Sequence, residues 1–167
     1  MATLKTFVVL GMHRSGTSFI AESMHKNEIF MGEKLLPAAE DNVKGFYEDV
    51  EFLDLNNEIL FEAKGNWLEP PSHEAILSVY PKFENKITKL INKRSQKFWG
   101  WKDPRTTLTI ELFHKHLVNP HYIPIFRNPL DVANSLHKRN SCSIQKGMLC
   151  TKEYNFRLIK FLAKHHL

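Results

Sequence analysis

"VVLGMHRSGTSFI", residues 8–20, begins as an apolar run, breaks at a glycine and resumes with apolar residues at helical spacing. That outline belongs to a loop that wraps an anion between a strand and a helix. Glycines let the backbone turn back so that successive N–H groups face one anion, and the helix N-terminus adds its dipole. Gly11 and Gly16 have the spacing of a nucleotide-binding loop, yet Thr17 stands where the usual lysine would follow. Arg14 supplies a permanent cation with several fixed donors, and Thr17 and Ser18 add hydroxyls. Glycine spacing alone also fits an ordinary strand-to-helix turn; the Arg-Ser-Gly-Thr-Ser run at the helix start favours an anion site.

Outward from this loop the chain alternates strands and helices. "TFVVL" (Thr6 to Leu10) reads as a buried parallel strand, and Thr17 to about His25 as a helix with Phe19, Ile20 and Met24 on one face. Residues 28–47 read as a long connection, of a length uncommon unless functional. Val50 to Phe61 has helical spacing, "NWLEPPSH" is a turn, and a further helix runs from about Pro81 to Asn92. "KFWGWK" (Lys97 to Lys102) is a strand, followed by a helix around Thr107 to Leu117. "HYIPIF" (His121 to Phe126) is another strand, whose Pro124 lacks a ladder donor and argues for an edge position. Pro129 opens a helix after Asn128 as a cap, and Glu153 to Lys164 is amphipathic. The expected fold is therefore α/β: a P-loop-type three-layer arrangement with a mainly parallel sheet flanked by helices, in a single domain spanning 1–167. Ligands of such sheets gather at the carboxyl ends of the strands. Here those ends carry Gly11 to Ser18, Lys102 to Arg105, and Arg127 onward, which meet only if the three strands are neighbours.

Composition narrows the function. With 43 % hydrophobic and 25 % charged residues the 167-residue chain can bury one sizeable core. No run approaches a membrane span and no basic leader precedes an apolar stretch, so a soluble, cytoplasmic protein is expected. The net charge of +5 suits an anionic small molecule. The short clusters Lys93-Arg94 and Lys138-Arg139 lack interleaved aromatics and read as solvated basic faces, so nucleic acid is not the expected partner. Cys142 and Cys150 read as buried or idle thiols. A nucleotide kinase would want lysine after Gly16 and an acidic strand end to hold magnesium; of the strand ends only "WKD" supplies a carboxylate. In "IPIFRNPLDVANS", Arg127 and Ser135 offer a guanidinium and a hydroxyl for a further phosphate; alternatively Arg127 pairs with Asp131 beside the capping Asn128.

Four segments together resemble the sulfotransferases that use 3′-phosphoadenosine 5′-phosphosulfate. "GMHRSGTS" is similar to their 5′-phosphosulfate loop and "FRNPLDVANS" to their 3′-phosphate segment, while "DNVKGFYE" (Asp41 to Glu48) and "WGWKDPRTTL" (Trp99 to Leu108) resemble stretches of bacterial members. The Lys-Asp-Pro run also occurs in tyrosylprotein sulfotransferases. The likeness covers about residues 5 to 160. It implies sulfuryl transfer from that cofactor to an acceptor hydroxyl or amine of a small molecule or carbohydrate, with adenosine 3′,5′-bisphosphate as product and no metal. Arg14, Ser15, Gly16, Thr17 and Ser18 would hold the 5′-phosphosulfate, and Arg127 and Ser135 the 3′-phosphate. Arg14 and Lys102 would be the cations on the leaving oxygen. Cytosolic members place a histidine two residues after a comparable lysine, where this chain has Pro104. The base is then sought, in order, at Glu33, Glu48 and Asp103; a solvated surface role is the plainer reading of each carboxylate alone. His13, beside the loop, could touch the sulfate or the acceptor, but a packing or surface role is the simpler reading. Members usually continue beyond the equivalent of Leu167, so the adenine site is expected to be incomplete or finished by a partner. The alternatives are a P-loop nucleotide or small-molecule kinase and a reduced, non-catalytic anion-binding protein.

Overall fold

A run of fully buried side chains, Val8, Val9 and Leu10, makes the first strand, β1 (Lys5–Gly11), the centre of the sheet. Residues covered on both faces need no polar alternation, which is why the strand reads as a continuous apolar run. In the computed structural model, which describes residues 4–38 and 45–167, β1 lies between β2 (Phe98–Lys102) and β3 (Pro120–Ile125), parallel to both. Val9 stands opposite Lys102 and Gly11 opposite Ile125, so the three carboxyl ends finish along one edge of the sheet. The neighbour relation that convergence required is met. Pro124 sits on β3, which among the described residues pairs only with β1, as an edge strand should. Gly100 admits no side chain: a Cβ there would stand 2.1 Å from the Phe7 carbonyl oxygen. Phe30 hydrogen-bonds across the outer side of β2, through Phe98 and Gly100.

Helices flank this sheet. α1 (Thr17–Lys26) buries Thr17, Ala21 and Met24, whereas Phe19 is 67 % exposed. Of the expected face, Met24 and Ile20 pack on the core and Phe19 does not. The exit direction at Gly16, not the count of apolar residues, decides which side of the first turn meets the sheet. α2 (Val50–Glu62) places Phe52 flat against Trp101, with ring centroids 4.4 Å apart. α3 (His73–Ser78) is a helix beyond the expected turn, its N-terminus capped by Ser72, whose Oγ accepts from the Ala75 N–H at 3.1 Å. α4 (Tyr80–Arg94) buries Phe83, Ile87, Leu90 and Ile91, the predicted side.

α5 (Thr106–His114) follows β2, and α6 (Pro129–Asn140) opens as predicted, with the Asn128 side chain accepting from the Leu130 N–H at 2.9 Å. α7 (Ile144–Lys164) starts nine residues before the amphipathic stretch. Gly147, which lowers helix propensity there, lets α7 close onto α6: a Cβ would meet Ala133 at 2.9 Å. Both cysteines are buried and unbridged, and burial pushes the Cys150 thiol up to about 12. Among the described residues no helix is long and apolar enough to cross a membrane.

Candidate functional site

The loop after β1 is held from below and from within. Thr107, at the start of α5, accepts from the Gly11 N–H at 2.8 Å and donates to the Gly11 carbonyl at 3.2 Å. Ser15 donates to the Met12 carbonyl at 2.7 Å, so its hydroxyl closes the loop and does not line the pocket above it. Arg14 (φ 67°) and Gly16 (φ 100°) both take positive φ. For Arg14 this is an uncommon conformation, of the kind that turns successive backbone N–H groups toward one point. Above the loop lies a pocket of about 210 Å³. His13, Arg14, Gly16, Thr17 and Ser18 line it from the loop side, Lys102 and Pro104 from the end of β2, and Arg127 from the end of β3.

Two segments more than a hundred residues apart meet here. Arg14 Nε donates to Ser135 Oγ at 2.9 Å, and Arg127 Nη1 donates to the Arg14 carbonyl at 3.0 Å. Ser135 therefore enters the site through Arg14 and not as part of the pocket wall. Arg127 also faces Asp131, but at 3.9 Å and with both side chains about half exposed, a pairing worth little. The ion pair is loose, and the guanidinium remains on the pocket.

A buried charge cluster forms the opposite wall. Lys102 is 1 % exposed; its Nζ donates to Glu48 Oε1 at 2.6 Å and to Ser18 Oγ at 3.2 Å. Burial is the largest influence on each partner. It lowers the proton affinity of Lys102 and raises that of Glu48, with the mutual attraction opposing both shifts and Asp103 adding to the rise at Glu48. Arg105 reaches Glu48 at 3.7 Å and Asp103 at 2.8 Å. Asp103, fully buried, also accepts from Asn56 Nδ2 at 2.8 Å. It braces this wall and does not line the pocket.

Of the three expected bases only Glu48 reaches the pocket. Glu33 is directed elsewhere: its carboxylate accepts from Arg94 Nη1 at 2.8 Å and its side chain is 64 % exposed. In the "DNVKGFYE" segment, Asp41 to Lys44 lie outside the described residues, while Phe46 and Glu48 both line the pocket. Two contributors received no role of their own from the sequence. Arg139 was assigned to a solvated basic face, yet it lines the pocket and lies over the Phe46 ring at 5.5 Å. Arg105 stands in the quoted "KDPR" run, and its position one residue beyond the proline was the available signal. A larger hollow of about 480 Å³ between α3, α5 and α7 contains none of the expected site residues; the pocket over the loop brings together Arg14, Gly16, Thr17, Ser18, Glu48, Lys102 and Arg127. Among the described residues no three His, Cys, Asp or Glu side chains are grouped to hold a metal ion.

No family model, no curated protein and no solved structure matches this chain.

Proposed function

We propose that the protein is a sulfotransferase that takes 3′-phosphoadenosine 5′-phosphosulfate as donor and modifies an acceptor hydroxyl or amine. One observation carries the reading: the loop after β1, Lys102 and Arg127 share a single pocket, with Arg14 hydrogen-bonded to Ser135. The donor set fits the cofactor's anionic end, since cations and hydroxyls surround the pocket and, among the described residues, its one lining carboxylate, Glu48, is tied to Lys102. At about 210 Å³ the pocket is below the range of about 300–1,000 Å³ usual for whole drug-sized ligands. That size suits a phosphosulfate group with the nucleoside lying outside.

When bound, the cofactor supplies a sulfuryl group on a phosphate leaving group. Arg14, the loop N–H groups and the Thr17 and Ser18 hydroxyls hold the anion, and Lys102 neutralises charge that grows on the leaving oxygen. Ser18 holds Lys102 Nζ toward the loop. Glu48 accepts the acceptor's proton, and its raised proton affinity brings it nearer to the working pH of a general base. Asp103 acts through Arg105 and Asn56 as a positioning residue. Arg127 takes the 3′-phosphate, which distinguishes this donor from ATP, and Ser135 acts through Arg14, whose Nε it holds.

The test is thermal stabilisation by adenosine 3′,5′-bisphosphate, by ATP with magnesium, and by sulfate, followed by a transfer assay over a broad acceptor panel. A ligand at a hundredfold excess over its dissociation constant stabilises by about 2.7 kcal/mol. The bisphosphate is expected to stabilise most, and Arg127→Ala to remove most of its advantage. A preference for ATP with magnesium would overturn the reading in favour of a kinase. Bisphosphate binding with no transfer to any acceptor would leave a non-catalytic anion-binding protein.

A further inference from the structure

His13 is the loop residue that the functions above leave unused. It is 7 % exposed, lines the pocket, and its Nε2 is buried with no hydrogen-bond partner among the described residues. A buried polar atom without a partner costs roughly 1–3 kcal/mol and calls for a reason. Packing accounts for the ring: it lies 4.6 Å from the Trp67 indole and 6.2 Å from the Tyr154 ring, centroid to centroid. It does not account for the nitrogen. The charged groups acting on it come from several elements: Arg14 on the loop, Lys102 at the end of β2, Arg105 beyond it, and Arg139 on α6. Glu48 is paired with Lys102 and Asp103 with Arg105, and the Tyr154 ring of α7 packs against the imidazole.

We propose that His13 is an oxyanion ligand of this pocket: Nε2–H donates to the bound anion, and a dianionic oxyanion enters together with one proton taken up by the imidazole from solvent. The inference rests on the reading of this pocket as an oxyanion site. Burial, followed by Arg105, Lys102, Arg139 and Arg14, holds the ring neutral well below the ordinary histidine range. A dianion among those cations removes the repulsion and supplies the acceptor that Nε2 lacks, and both effects favour the imidazolium. An imidazolium at His13 donating to the phosphate that stays behind would stabilise the charge left there when the sulfuryl group passes to the acceptor, and so would favour departure of the leaving group without touching the acceptor.

Sulfate is the probe, because it stays dianionic throughout the range in which histidine titrates. The ring C–H resonances of the nine histidines are followed by NMR from about pH 5 to about pH 8, with and without saturating sulfate. His13 is assigned by its absence from the spectrum of His13→Gln. Its midpoint is expected to rise by about one unit or more with sulfate, which by linkage makes sulfate bind about tenfold tighter at the acid end of the range. The histidines outside the pocket should not move. Should His13→Gln not fold, sulfate affinity of the unaltered protein at about pH 5.5 and 7.5 gives the same answer. An unmoved midpoint, or equal affinity at both pH values, overturns the inference whatever donor the protein prefers. A moved midpoint without a bisphosphate preference upholds it and removes the donor assignment instead.

Discussion

Glu48 and Asp49 are consecutive residues, and they serve two different buried cations. Asp49 grips Arg94 through both carboxylate oxygens, at 2.7 and 3.3 Å, and also accepts the N–H groups of Glu33 and Glu51, the latter capping α2. Glu33 and Glu51 cover the rest of the guanidinium. Gly32 lets the chain pass close by: a Cβ there would meet that of Asp49 at 2.6 Å, and its φ is +137°. On the other side of the same extended segment, Glu48 pairs with Lys102 beside a pocket, with Arg105 Nε and His13 Nε2 left unpartnered among the described residues. The Arg94 cluster is closed, each of its three nitrogens bonded to a carboxylate; the Lys102 cluster is open and incomplete. A closed cluster locks a connection to the body of the fold, whereas an open one has capacity for a ligand.

That contrast breaks first at Asp49. Asp49→Ala leaves Arg94 buried without its main partner and uncaps α2, so a loss of about 3–5 kcal/mol is expected in urea unfolding. A loss below about 1 kcal/mol would show that the closed cluster is not structural. Glu48→Gln should do the reverse. The amide oxygen still accepts from Lys102 Nζ but the counter-charge is gone, so the stability loss should stay below that of Asp49→Ala, while sulfuryl transfer falls by about 10²–10⁴-fold with donor binding retained. Glu33→Gln is the control: turnover unchanged, and stability within about 1 kcal/mol because the side chain is mostly exposed. If Glu33→Gln abolished transfer and Glu48→Gln did not, the roles of the two clusters would be exchanged.

Arg127 sharpens the comparison at the pocket rim. Its side chain is 46 % exposed, so Arg127→Ala should leave the unfolding midpoint almost unchanged, within about 0.5 kcal/mol. Affinity for the bisphosphate, measured by calorimetry, should fall about 10- to 100-fold, the worth of a hydrogen bond to a charged group.

The frame of this site was legible because strand ends announce themselves. An apolar run ending in Gly11, a Trp-Gly-Trp strand ending in Lys102, and a strand with Pro124 at the edge required only parallel pairing to converge, and the register provides it. The direction of side chains was not legible. Glu33 and Glu48 lie in one irregular connection, where no period of 2 or 3.6 tells which carboxylate turns inward, and Arg94 at the end of α4 captured the first. Phe19 faces outward for a related reason, since the loop sets the first turn of α1. Arg139 and Lys138 look alike in sequence; only the packing of α6 brings Arg139 over Phe46.

The smallest expected effect concerns stability against pH and separates the two clusters by a different observable. His13 is held neutral in the fold, its proton affinity lowered by burial and by the cations around the pocket, while in the unfolded chain it titrates near 6.5. As pH falls below 6.5 the unfolded state takes up a proton that the folded state refuses, so unfolding becomes easier by at most about 1.4 kcal/mol per pH unit. His114 and His116 are lowered in the same direction by burial and add to the slope, so the informative quantity is a difference between proteins. His13→Phe should flatten the acid limb of the stability curve by one proton's worth and leave the neutral limb parallel. Saturating sulfate on the unaltered protein should flatten it in the same way, because the anion lets the folded state accept the proton too. Sulfate that stabilises equally at every pH would mean that the open cluster binds its anion without the histidine. Arg14, Lys102 and the loop N–H groups would then hold it alone.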